Sequence, residues 1–171
     1  MLKTLLATAL LSTIATPASS AWLNQHGVTI FDQYDLPASH QPLYRALDRA
    51  NVPVADGHDW KLCAPKPDSY VAGFYVPTLN VIVLCTESPA PDIWGTLVHE
   101  AVHAVQDCRA GQDNSALYHA TTQYMIDGLE QSELDTIRDL YPADQHLDEV
   151  EASFLEQYPD YVADQLDTYC L

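Results

Sequence analysis

Basic residues are scarce in this chain: seven lysines and arginines face 24 aspartates and glutamates, for a formal charge of −17. Contacts to phosphate need a positive field, so this balance excludes nucleic-acid binding and attraction to anionic membrane surfaces. Long apolar runs are also lacking beyond the N-terminus, and no later segment predicts a membrane span. The four cysteines, Cys63, Cys85, Cys108 and Cys170, include no C-x-x-C pair. That argues against a zinc knuckle or a dithiol redox site. No internal repeat or low-complexity linker breaks residues 22–171, which leaves one domain.

The N-terminus reads as a secretory signal. Met1, Leu2 and Lys3 form a short positive start, and 5–15 is apolar but too short to cross a bilayer. Ser19, Ser20 and Ala21 offer the small residues a signal peptidase inspects. Residues 1–21 are therefore expected to be a cleavable signal peptide and 22–171 the mature domain; an uncleaved membrane anchor is the competing reading. Export, secreted or periplasmic, implies an oxidising compartment in which the cysteines pair. Spacing does not choose among the three possible connectivities. The expectation is Cys63–Cys85, tying the segment before a strand to that strand's end, and Cys108–Cys170, pinning the last helix. An acidic surface keeps an exported monomer soluble and also suits cationic substrates.

Along the chain, 27–31 reads as a short strand and 41–51 as an amphipathic helix through Leu43, Tyr44 and Leu47. Segments 71–76 and 79–85 are rich in β-branched and aromatic residues, with Pro77 and Thr78 between them, and predict a hairpin. Ser88 or Asp92 caps the helix that follows. Further helices are expected at 114–127, then from a capping box at Ser132–Asp135 to Tyr141, then at 144–158 and 160–169. The fold class is α+β, a small N-terminal antiparallel sheet followed by a mostly helical half.

The densest chemical signal is His99-Glu100-Ala101-Val102-His103, an H-E-x-x-H pattern. On a helix, positions i and i+4 share one face, so both histidines can direct a nitrogen at one zinc ion at about 2.0–2.1 Å. Glu100, beside the first ligand, is then placed as the general base that takes a proton from water. The helical context is supplied by Leu97, Val98, Ala101, Val102 and Val105, with no Pro or Gly from 96 to 110. The competing reading is a core helix with two hydrogen-bonded histidines. It would bury Glu100 without a strong partner, at a cost of several kcal/mol.

A catalytic zinc usually has three protein ligands and an open position. The metzincin continuation is absent, because Gln106 and Arg109 stand where its Gly and third His would be. Asp107 lies near the ligand face and is expected to orient a ligand from behind. Further on, Glu149-Val150-Glu151-Ala152-Ser153 fits E-x-x-A. With the H-E-x-x-H this resembles the gluzincin metallopeptidases, in which a Glu on a separate helix completes the zinc site. The resemblance implies a zincin-like metallopeptidase domain that holds one Zn²⁺ through His99, His103 and Glu149 and acts on a peptide or protein substrate. Ser153 stands where the family often has an Asp that supports a ligand histidine. Glu149 and Glu151 point about 200° apart on a helix, so only one can face the metal; Glu149 matches the motif and Glu151 is the alternative.

In proteins with this arrangement the preceding strand often edges the cleft, so 80–84 would bind an extended peptide by strand addition. Gln106, on the metal face, would meet water or substrate, or make a core hydrogen bond. His119, His146, Tyr75, Tyr118 and Tyr158 are candidate oxyanion donors. Two other classes remain. One is a structural zinc module closed by a fourth ligand such as His146. The other is a metal-free, disulfide-stapled acidic binding protein.

Overall fold

The computed structural model describes residues 29–58, 60–64, 70–88, 92–111 and 117–171. The expected signal peptide at 1–21 lies outside these residues. The architecture is α+β, with three strands and six α-helices among the described residues.

Helix α1 (Gln41–Arg49) starts with a proline in its first turn and buries Leu43, Ala46 and Leu47, spaced to share one face. It leads into β1 (Val54–Asp56), which is followed by β2 (Gly73–Val76) and β3 (Val81–Leu84). Strand order is β1-β3-β2, with β1 parallel and β2 antiparallel to β3. The hairpin was legible, but the sheet is mixed rather than antiparallel. It is also β3 that lies in the middle. All four of its residues are fully buried: Ile82 and Leu84 face the helices, while Val81 and Val83 pack with Ala55 under Trp60 and Phe74. An apolar run with no alternation is what a strand covered on both faces requires. Strand addition at 80–84 is thereby ruled out, since the β3 backbone is already paired on both sides. The expected strand at 27–31 contributes, within its described part, an antiparallel bridge between Ile30 and Ala55.

Helix α2 (Ile93–Arg109) is capped by Asp92, whose Oδ1 accepts from Trp94 N and Gly95 N, each at 3.0 Å. Leu97, Val98, Ala101, Val102, Ala104 and Val105 are all within 2 % of complete burial, because α2 lies between the sheet and the C-terminal helices. Gly73 brings β2 close to it: a Cβ there would sit 2.7 Å from Thr96 Cγ2. This approach forms one wall of the cleft described below.

The rest is helical: α3 (Gln123–Gly128), α4 (Gln131–Leu140), α5 (His146–Leu155) and α6 (Pro159–Tyr169). Within the described part, 117–127, of the helix expected at 114–127, helical structure begins at Gln123. Residues 117–122 run without helical structure because their polar groups bond to other elements: Tyr118 N to Gln106 O, Ala120 N to Glu151 Oε2, and Thr121 Oγ1 to Leu147 O. The capping box of α4 also moves, being formed by Glu130 and Glu133 instead of Ser132 and Asp135. Cys63–Cys85 and Cys108–Cys170 are both disulfide-bonded, as expected. No helix among the described residues is long and apolar enough to cross a membrane.

Candidate metal centre

His99 and His103 lie one turn apart on α2, their ring centroids 5.0 Å apart and their planes at 77°. Glu149, in the first turn of α5, comes between them. Its Oε2 is 3.3 Å from His99 Nε2 and its Oε1 is 3.5 Å from His103 Nε2. One ligand atom from each of the three residues falls within 4.8 Å of the other two. A tetrahedral site with bonds of about 2.0–2.1 Å has ligand–ligand edges of about 3.3–3.4 Å. The two distances, each to a different oxygen of the Glu149 carboxylate, lie close to that value, and two imidazoles with one carboxylate are a donor set that zinc accepts. The three residues fit a metal ion.

Each histidine is held from behind by its other nitrogen. His103 Nδ1 is 2.7 Å from Gln106 Oε1, and His99 Nδ1 is 3.6 Å from Glu156 Oε2. Both rings therefore aim Nε2 at Glu149, the arrangement by which outer partners orient metal ligands. Gln106 thus takes the supporting role expected of Asp107. Asp107 instead accepts from the Tyr75 hydroxyl on the side facing β2.

The local electrostatics favour a cation. Burial alone would lower the pKa of His99, but the hydrogen bond to Glu149, the nearby Glu156 carboxylate and the charges of Glu100 and Glu149 together outweigh it and raise the value to about 10. For Glu149, burial pushes the carboxyl up, and the hydrogen bond from His99 with the charges of both histidines brings it below its ordinary value. A cleft of about 570 Å³ opens in front of these groups, and Glu100, Asp144, Asp148 and Glu149 all line it. Glu100 is 7 % exposed and sits on this wall beside His99.

Glu151, the alternative ligand, is fully buried and turned away, paired with Arg109 at 2.6 Å. Of the expected oxyanion donors, Tyr75 lines the cleft, but its hydroxyl is shared between Asp107 and Asn80, each at 2.9 Å. His146 directs Nε2 at Tyr141 O instead of the centre. Tyr118 stacks on His119, and Tyr158 packs on Phe154. None of these four lines the cleft. Sequence reasoning missed Tyr141, which does line it, with Glu149 among the groups that act on its hydroxyl. Burial, and then the charges of Glu149 and Glu100, push its phenol far above the ordinary value, so the hydroxyl stays a donor. No linear spacing marks Tyr141; it reaches the site through the turn between α4 and α5.

Fold and site together define an α+β protein carrying a three-residue candidate metal centre at the wall of an open cleft. Residues 89–171 match a family described as a domain of unknown function, DUF8637. The three candidate ligands and Glu100 fall within the matched residues. No curated protein and no solved structure matches the chain.

Proposed function

We propose that this protein is an exported zinc-dependent metallohydrolase, a peptidase resembling the gluzincins. The observation that carries the reading is the convergence of His99 Nε2, His103 Nε2 and Glu149 at tetrahedral-edge distances, with Glu100 alongside on an open cleft. Zinc would supply Lewis acidity and make a water molecule acidic near neutral pH. Glu100 would serve as the general base for the attacking water and pass the proton to the leaving amine. Tyr141, protonated and on the same wall, would donate its one O–H to the oxyanion of the tetrahedral intermediate in exchange for its interaction with Glu149. His99, His103 and Glu149 would hold the ion, with Gln106 against the His103 ring and Glu156 3.6 Å from that of His99.

The open cleft favours this reading over a closed structural site. The two disulfides fit an oxidising compartment and support export to a periplasm or the cell exterior. The test is cleavage of a mixed peptide library by purified protein. Activity is expected to disappear with a chelator and return with zinc, whereas chelator-resistant cleavage, or none at any zinc concentration, contradicts the proposal.

A further inference from the structure

We propose that the buried Arg109–Glu151 ion pair positions His103, by setting which end of the Gln106 amide meets the imidazole. The inference rests on the metal-centre reading above. An amide has an accepting and a donating end of nearly equal shape, so only its partners decide how it lies. Gln106 is fully buried, and its Nε2 donates to Asp148 O at 3.0 Å and to Glu151 Oε2 at 3.1 Å. Neither partner can donate, so Oε1 is left to face His103 Nδ1 at 2.7 Å. An oxygen there accepts the Nδ1 proton, which leaves the Nε2 lone pair for a cation. A reversed amide would place its NH2 against Nδ1, move the proton to Nε2, and close that nitrogen to a metal.

Glu151 is fixed in its turn. Its Oε1 accepts from Arg109 at 2.6 Å, and its Oε2 also accepts from Ala120 N at 3.1 Å. Arg109 reaches Gln165 Oε1 at 2.9 Å and lies 5.0 Å over the Tyr169 ring, which ties the chain of contacts to α6. The charge matters because a carboxylate only accepts, whereas a glutamine at 151 could present either end to Gln106. A buried ion pair is weak evidence for stability, since apolar residues of similar volume often do as well. Orientation accounts for the pair.

The test compares wild type, Gln106→Met, Arg109→Met/Glu151→Met, and Leu166→Ala in the α6 core as control. Zinc affinity is read by chelator competition, folding by thermal midpoint, and the His103 Nδ1 proton by NMR of the zinc-loaded protein. Gln106→Met is expected to weaken zinc by about 10–100-fold, and the double variant by about tenfold, each with loss of the protected Nδ1 signal. The double variant also loses some thermal stability, because Gln106 Nε2 and Ala120 N lose an acceptor. Leu166→Ala lowers the midpoint while holding zinc affinity within about twofold. Should the double variant not fold, Glu151→Gln carries the same test. Wild-type affinity and an intact Nδ1 signal with the ion pair removed would overturn the inference alone. A wild-type chain that takes up no zinc would instead overturn the metal-centre reading beneath it.

Discussion

Glu100→Gln isolates the proposed chemistry from the proposed binding. Glu100 is 7 % exposed on the cleft wall, and its negative charge helps raise the pKa of the neighbouring His99. Glutamine keeps the volume and a polar end, so α2, the two rings and Glu149 remain in place. What is lost is the proton acceptor. A positioned general base contributes about 10²–10⁴-fold, equivalent to about 2.7–5.5 kcal/mol of activation free energy. The loss is expected in kcat with little change in KM, because the base acts at the transition state and not in ground-state binding. The assay pairs peptide turnover with zinc content measured on the same preparation. A zinc-loaded, folded Glu100→Gln protein that turns over at the wild-type rate would refute the assigned role.

Other expectations follow from the same geometry. Replacing both Cys108 and Cys170 by Ser opens a cross-link spanning 62 residues, for which loop-closure entropy gives a loss of about 4 kcal/mol, readable in denaturant unfolding. The His99 pKa of about 10 means the metal-free protein holds a proton there at pH 7, so zinc binding should release about one proton, seen by calorimetry in buffers of different ionisation enthalpy. The sign for stability is opposite to that for affinity. The raised His99 value stabilises the metal-free fold below about pH 6.5 and is lost as pH climbs through about 10, while zinc affinity rises over the same range. Thermal melts of the metal-free protein across this window check the first half.

The helix carrying His99, Glu100 and His103 was legible because both histidines lie within about one turn of one element and their apolar neighbours have a helical distribution. Glu149 was legible only with the motif upstream, since a lone carboxylate on an acidic helix reads as a solvated charge. The central position of β3 was available in principle from the unbroken apolar run Val81–Leu84. Its parallel partner β1, however, is three residues long, too short to register as a strand. The helix expected at 114–127 failed because tertiary hydrogen bonds to Gln106, Leu147 and Glu151 replace helical ones over 117–122. For Gln106 the sequence offered a core hydrogen bond as one of two readings, but not that it goes to His103, because its amide is oriented by Asp148 and Glu151, 42 and 45 residues away. Ligand spacing is local and leaves a trace in the sequence. The support behind the ligands is assembled by the fold.

The central claim, that two imidazoles and one carboxylate form a zinc site, is tested most directly by elemental analysis of zinc-equilibrated, gel-filtered protein. The account predicts about one zinc per wild-type chain, as a site with three protein ligands requires, and a large loss in His103→Ala. A folded wild-type protein without zinc, or His103→Ala with an undiminished zinc content, would contradict it.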